Sequence, residues 1–592
     1  MKRNSFTVLI VLLSISILFA TLLTLPRVDI AQPDPYFHVK ITPITYWIGF
    51  CLAIFVTLGI VFSKRGASVR YGLGLFSVML LSVYVYVIPK LFYINSIYTD
   101  TYIFVGELLY TLRYDHVGWG HSYGTPGLAL FSSQFSLITG IDYIIVAEVL
   151  PLIIALISVF LIYVIAQLFV DKRTALLACL VYISINWMGF AFNRQSFAWI
   201  LQIFVYYSVF RVFSRRVVSL SWYSVILLSY IALVVSHPLS SLIMVLAPLS
   251  LVALLYLLSL VGRIWLTRAL FVQGKYATTR HLVTRALLLS AMFSIIWLLW
   301  NMYTETNLYY AIQTVDSFIH EVFAGPGPLE HAGSVVMGYT GEYLPVVNLR
   351  FSEAVFEAIV GTILACFAFI KTKSSWKGLI LASWFISCIS IFVFGLYSST
   401  NSLLYKTFLY ASSAFSVLLA WFITSKIRMH YGSKYNGKVS LKAIKGFILS
   451  VMIVFTLILP LTMYSHTPFM YPPTVYLREL SHMTIYGNGT IAIFEGSSEI
   501  GYYQLLNNAS ATFTVIDNTA NITDYMVIAT GFRAYTLEAF IYYTPPLVRS
   551  ITDLEKKFMN NPSPAFAKVY DADSWHKVYA RQFYLNYSQV SP

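Results

Sequence analysis

Long apolar runs alternate along this chain with short basic turns, and two longer polar loops interrupt them at residues 89–141 and 304–352. The runs predict helices at about 6–25, 41–62, 71–88, 142–170, 174–192, 195–213, 218–235, 239–261, 286–303, 353–370, 378–397, 407–424 and 446–464. A helix rises about 1.5 Å per residue, so roughly 20 apolar residues cross the hydrocarbon core of a bilayer. The expected fold is therefore a polytopic α-helical membrane protein with about thirteen transmembrane helices. Lys2 and Arg3 precede the first run and no A-x-A cleavage site follows it, so it is expected to remain as an uncleaved first helix.

The first loop has a pattern of its own. Ile103, Leu108, Leu109 and Leu112 can line one face of a helix lying in the membrane interface, with Tyr98, Tyr102 and Tyr110 at headgroup level. A second helix, Pro126 to Ile138, is too short to span, and Gly140 and Asp142 restart a full span after it. Beyond residue 464 apolar runs shorten, and Pro, Asn and Ser increase. IAIFE (491–495), TFTVI (512–516) and DYMVIAT (524–530) read as strands, Thr552 to Met559 as a helix, and AKVYDADSWHKVYA (567–580) as a hairpin. Two domains are expected: residues 1–464 in the membrane, and residues 465–592 as a small extracytoplasmic α/β domain.

Composition supports the membrane reading and excludes a soluble one: 58% of residues are hydrophobic, 11% are charged, and mean hydropathy is +0.72. The net charge of +14 is a topology signal rather than a nucleic-acid footprint. Alternate inter-span segments together carry 24 Lys and Arg against one acid, Asp171. The loop 304–352 carries Glu305, Asp316, Glu321, Glu330 and Glu342 against Arg350. This bias predicts a multi-pass protein of the cell membrane with its N-terminus cytoplasmic and its C-terminal domain outside. The sequons at Asn488, Asn508, Asn521 and Asn586 all fall in that domain and are candidate N-glycosylation sites. Cys51, Cys179, Cys366 and Cys388 lie in apolar spans without ligand spacing and read as small buried hydrophobes.

Polar chemistry gathers in the first loop, where Asp100, Glu107, Asp115, His116, His121 and Tyr123 surround a Gly-Thr-Pro-Gly turn at 124–127. Asp100, in Thr-Asp-Thr before an amphipathic run, suits either a helix cap or a general base. Asp115, His116 and His121 match no strong metal spacing. Elsewhere Arg194 opens a span in FNRQSF and could meet a phosphate or pair with Glu148, the acid read as deepest in a span. His237 in VVSHPLSS could bind sugar hydroxyls or phosphate, or cap carbonyls freed by Pro238.

LALFSSQFSLITGID (128–142), DKRTALLACLVYISINW (171–187), LLYKTFLYASSAFSVLLAWF (403–422) and FAKVYDADSWHKVYA (566–580) resemble the GT-C glycosyltransferases, with the likeness nearest to archaeal members. It extends over about residues 70–260 and again over 403–422. It implies transfer of a sugar from a polyprenyl (dolichyl) phosphate donor to a lipid-linked glycan or surface protein at the outer membrane face. It also implies Asp100 as the acid acting on the acceptor, Glu107 or Asp115 as its helper, and Lys406, with Arg194, as cations for the donor phosphate. His237, His121 and Tyr123 become substrate contacts, and a divalent metal, Mg or Mn, a possible cofactor. Two departures stand out: Phe104 replaces the His or Tyr common in relatives, and Asp100 has no adjacent acid. Asp34-Pro35-Tyr36-Phe37-His38 resembles a motif of oligosaccharyltransferase catalytic subunits, which gives an alternative reading. A lipid or glycolipid flippase and a non-catalytic membrane scaffold are the remaining alternatives.

Overall fold

Backbone N–H and C=O groups in a bilayer must be satisfied within the protein, and long apolar runs meet that demand as helices. The computed structural model describes residues 2–24, 28, 36–62, 68–91, 100–117, 124–186, 190–214, 219–265, 275–304, 312, 316, 319, 344–371, 376–396, 402–424, 437–464 and five strands between 490 and 581. The helices are α1 (Lys2–Thr24), α2 (Phe37–Ile41), α3 (Ile44–Val61), α4 (Ser68–Ser82), α5 (Ile88–Leu91), α6 (Asp100–Tyr114), α7 (Gly127–Thr139) and α8 (Tyr143–Phe169). They continue as α9 (Lys172–Ile185), α10 (Arg194–Ser214), α11 (Leu220–Ser236), α12 (Pro238–Trp265) and α13 (Lys275–Thr304). After the second loop come α14 (Leu344–Lys371), α15 (Trp376–Leu396), α16 (Ser402–Thr424) and α17 (Gly437–Tyr464). Among the described residues, seven helices are long and apolar enough to cross a membrane: parts of α3, α8, α10, α12, α13, α14 and α17.

One expected span is shorter than its apolar run. α9 has 14 residues and ends at Ile185, where the run had suggested a span to residue 192. Asn186 is its C-cap, and the Asn186 amide donates to the Tyr182 hydroxyl at 3.1 Å. At roughly 21 Å the helix is too short to cross alone. It lies inside the bundle, packed by α3, α4, α8, α16 and α17, and all its residues from Thr174 to Ile185 are buried. Buried hydroxyl pairs tie neighbouring helices, Thr57 with Ser77 at 2.8 Å and Ser184 with Thr456 at 2.5 Å.

α4 runs into a π-helical turn, Val83–Val87, ahead of Pro89. Proline lacks an N–H and its ring collides with the carbonyl four residues earlier, so a wider turn accommodates it. The turn points Tyr84 and Tyr86 inward. Their hydroxyls donate to the carbonyls of Ser14 (3.2 Å) and Asn186 (3.4 Å).

Segments expected on one side of the membrane meet in pairs. The Arg173 side chain donates to the Val61 carbonyl, and Arg285 donates to the Val212 carbonyl at 3.0 Å. Arg211 lies over the rings of Tyr207 and Trp222. Of the cysteines, Cys179 and Cys388 are buried and Cys51 half-buried, but Cys366 is exposed on the bundle surface, contrary to the reading of all four as buried.

The strands are β1 (Thr490–Ile493), β2 (Thr512–Val515), β3 (Val527–Thr530), β4 (Phe566–Asp571) and β5 (Lys577–Arg581). They form one sheet in the order β2-β1-β3-β5-β4. β1 is parallel to β2 and β3, whereas β5 is antiparallel to β3 and β4. The expected helix at 552–559 and all four sequon asparagines lie outside the described residues.

Candidate active site at the α6–α7 end of the bundle

α6 does not lie free on a membrane surface. Val105, Leu108 and Leu109 are buried against Leu128 of α7, Ala147 of α8 and Phe192, with Leu112 packed beside them. Apolar residues at i, i+3 and i+4 spacing make that buried face. The polar face follows from the same periodicity. Asp100 and Glu107 are seven residues apart, so they share a face of α6 about 10 Å apart along its axis, with Phe104 between them. Asp100 is the first residue of the helix, and its side chain lies outside the described residues.

Glu107 is the partner of Arg194. The Arg194 Nη2 donates to Glu107 Oε1 at 2.5 Å, and its Nη1 donates to the Thr125 hydroxyl at 2.6 Å. The Phe104 ring lies 5.1 Å from the guanidinium carbon, so the phenyl at this position supports the cation from below. The two side chains are 14% and 13% exposed, and the Arg194 Nε is buried without a partner. The expected pairing with Glu148 does not occur. Glu148 is exposed on α8, whereas α6 folds over the start of α10 and brings Glu107 to the arginine. Arg194 is held in place by its helix start. Asn193 Oδ1 accepts from the Ser196 N–H (2.8 Å) and caps the helix, and Ser196 Oγ accepts from the Ala191 N–H (3.2 Å), which fixes the chain entering it.

The Gly-Thr-Pro-Gly segment joins this ion pair to the neighbouring helices. Thr125 is bonded to Arg194, and the Gly124 carbonyl accepts from the Trp300 indole at 3.0 Å. A Cβ on Gly127 would lie 2.2 Å from Ser236 Oγ and 2.9 Å from the Ser236 Cα, so only glycine lets α7 approach α11 this closely. Beyond Ser236, His237 caps α11. Its Nδ1 accepts from the Ser240 N–H at 3.2 Å, which places the proton of the neutral imidazole on Nε2. The Ser240 hydroxyl is 3.0 Å from His237 Nδ1 and 2.8 Å from the Tyr410 hydroxyl, while Trp297 donates to the Pro238 carbonyl at 3.2 Å. Tyr410 lies one helical turn after Lys406 on the same face of α16. The Lys406 side chain is itself outside the described residues.

Of the candidates read from sequence, then, Glu107, Arg194 and His237 are linked through residues 124–127, and the backbone positions of Asp100 and Lys406 border the same end. Thr125 is the contact that sequence reasoning missed; its only signal was the polar side chain inside a turn. Asp115 stands apart: it is exposed at φ 57°, and its N–H closes the end of α6 on the Thr111 carbonyl at 3.1 Å. His116 is exposed and bonded to the Tyr114 carbonyl (2.8 Å) and the Tyr110 hydroxyl (3.2 Å). His121, Tyr123 and Asp34 lie outside the described residues. Among the described residues no three His, Cys, Asp or Glu side chains come together as metal ligands.

No family model and no curated protein matches the sequence. Solved structures do. The oligosaccharyltransferase of Archaeoglobus fulgidus tethered to an acceptor peptide with the NVT sequon is 14% identical, with a TM-score of 0.52 over 87% of this chain and 74% of that one. The archaeal oligosaccharyltransferase AglB from the same organism, in complex with an inhibitory peptide and a dolichol-phosphate, is 15% identical. Its TM-score is 0.48 over 74% of this chain, and the match spans 63% of AglB, less than two thirds of it. ArnT from Cupriavidus metallidurans bound to undecaprenyl phosphate is 11% identical, with a TM-score of 0.45 over 88% of this chain and 98% of ArnT. At these identities the likeness is one of fold. The chain is a multi-pass membrane protein with a GT-C-type fold.

Proposed function

We propose that the chain is a membrane glycosyltransferase that moves a sugar from a polyprenyl (dolichyl) phosphate donor to a lipid-linked glycan or surface protein. The observation that carries this reading is the gathering of an acid-bearing helix face, Arg194, His237 and the Lys406 turn at one end of a GT-C-type bundle. The proposed topology counts α9, short but shielded from lipid by the helices around it, among thirteen crossings, with a cytoplasmic N-terminus and with the α6–α7 end and residues 465–592 outside the membrane.

In the proposed reaction Asp100 takes the proton of the acceptor nucleophile as it attacks the anomeric carbon. The bond from that carbon to the lipid phosphate breaks, and the phosphate leaves with the electron pair. Lys406 is the proposed cation that balances its negative charge. Arg194 has two nitrogens committed to Glu107 and Thr125, so its main part is to hold α6 and residues 124–127 in register, with Nε left for a substrate oxygen. Glu107 serves as the partner of that cation rather than as the base. His237 is the proposed contact for sugar hydroxyls or phosphate. A divalent ion, Mg or Mn, would add positive charge at the leaving phosphate; among the described residues no set of ligands for one comes together.

The fold likeness to an archaeal oligosaccharyltransferase favours a second reading, in which the acceptor is a protein asparagine. One experiment separates the readings. The purified protein in proteoliposomes receives a labelled polyprenyl-phosphate sugar with either a glycolipid fraction or a sequon peptide. Label in the glycolipid supports the first reading, and label in the peptide supports the second. Movement of labelled lipid between leaflets without transfer to either acceptor replaces both with a flippase.

A further inference from the structure

Two acids lie in a membrane span, where the sequence pattern had pointed to Glu148. Glu353 and Glu357 are one turn apart on α14, and each is 1% exposed. The span covers Asn348–Ala368, so Glu357 lies roughly 13 Å into it, close to its middle. Gly361 continues the same stripe, and a Cβ there would lie 2.2 Å from the Phe385 ring. α14 and α15 therefore pack closely along the face that carries both carboxyls.

Charge does not balance on this face. Arg350, one turn before Glu353, is anchored to the Thr462 and Met463 carbonyls of α17, the latter at 3.1 Å. Glu353 has the Arg350 charge and the Thr462 hydroxyl beside it, yet neither of its oxygens makes a hydrogen bond. The charge nearest Glu357 is Glu353, and its Oε1 is buried without a partner. α15 adds the Cys388 thiol, whose Sγ is 3.8 Å from the Tyr206 hydroxyl of α10. On the flank of the acid face, three residues after Glu353, Phe356 meets Phe415 of α16 and Phe455 of α17.

The seam continues in unpartnered polar atoms. Gln202, one turn before Tyr206, has both amide atoms buried and unbonded, and the Trp384 indole N–H, one turn before Cys388, is likewise unbonded. Both residues are fully buried. Two carboxyls thus share one guanidinium in a low-dielectric interior, where an unpaired charge is strongly disfavoured. We propose that Glu353 and Glu357 form an intramembrane site for one monovalent cation, either a proton shared by the pair or a sodium ion held by their oxygens.

The test uses the full chain in neutral-lipid nanodiscs. Thermal denaturation is followed in sodium against choline at equal ionic strength, and in choline from about pH 5 to about pH 8, where free carboxyls are ionised. Above the dissociation constant, a tenfold rise in the bound cation should multiply the folded-to-unfolded ratio about tenfold. Glu357→Gln, an amide in place of the neutral acid, should abolish that response. A response to sodium at fixed pH identifies sodium, and a response to acid alone identifies the proton. If Glu357→Gln does not fold, dicyclohexylcarbodiimide labelling of the native chain decides. The reagent adds to a protonated carboxyl in apolar surroundings, so the adduct should map to Glu353 or Glu357 and form more slowly in sodium or at higher pH. The proposal is overturned if wild type and Glu357→Gln respond alike, or if the glutamates gain no adduct under any of these conditions.

Discussion

Removing Arg194 should loosen the α6–α7 end of the bundle, because its ion pair and its bond to Thr125 join α6, residues 124–127 and α10. Arg194→Ala leaves Glu107 as a carboxylate that is 13% exposed with no cation beside it. Breaking a fully buried pair by deleting one partner costs about 3–5 kcal/mol, and the remaining water contact lowers the expectation here to about 2–3 kcal/mol. Glu107→Gln keeps an oxygen that can accept from the guanidinium and should cost about 1 kcal/mol. A double-mutant cycle of Arg194→Ala, Glu107→Ala and the double variant, measured by reversible unfolding in mixed micelles, should give a coupling of about 2 kcal/mol. Activity separates position from phosphate binding. If Arg194 mainly positions the loop, Glu107→Gln and Arg194→Lys should lower kcat with little change in donor KM. Stability changes that add to within about 0.5 kcal/mol refute the pairing as an energetic link.

Gly127→Ala should destabilise the α7–α11 contact by about 1–3 kcal/mol, because its new Cβ meets Ser236 including the backbone; the same micelle unfolding reads it. His38 is buried on α2, and burial pushes its imidazole down to about 3 from an ordinary 6.5. Its neutral form is therefore favoured by folding, and its contribution, complete above about pH 6.5, should be lost progressively toward about pH 3. His38→Gln should flatten that acid limb of the stability profile, and an unchanged limb would assign it to other groups. Topology is open to cysteine-scanning with an impermeant thiol reagent on a cysteine-free background. Positions in 425–445 should be protected in right-side-out membranes and positions in 465–592 labelled; labelling of both contradicts the proposed orientation. In a host with N-glycosylation, mass spectrometry should find glycan on at least one of Asn488, Asn508, Asn521 and Asn586.

The helices were legible in the sequence because a bilayer demands long apolar runs, and the turn residues Pro126, Gly140 and Asp142 mark the limits of α7 and the start of α8. Apolarity does not show where a buried helix stops. α9 ends at Ile185, capped by Asn186, although apolar residues continue to Phe192; Phe190 packs on Tyr86 and Phe192 joins the α6 cluster. Partners across the fold were not legible. Glu107 is 87 residues from Arg194, and nothing local distinguishes it from Glu148, which is nearer in sequence but exposed. The acids on α14 were missed for a related reason. Glu353 and Glu357 open an apolar run, where acids read as an ordinary helix start, and only the packing of α15 and α17 shows that they are buried. Phe104 departed from the family pattern in sequence, and the structure gives it a place against the Arg194 guanidinium.

The central claim is that Asp100 activates an acceptor against a polyprenyl-phosphate sugar at the end of the bundle bordered by Lys406. The most direct measurement is sugar transfer by the wild type, Asp100→Asn and Lys406→Ala in proteoliposomes with a saturating acceptor. The account predicts transfer by the wild type and a loss of about 10²–10⁴-fold in kcat for Asp100→Asn with donor binding retained. It predicts that Lys406→Ala raises donor KM and lowers kcat together, since the cation meets phosphate in both ground and transition states. Full activity of Asp100→Asn would contradict it, reducing Asp100 to a helix cap.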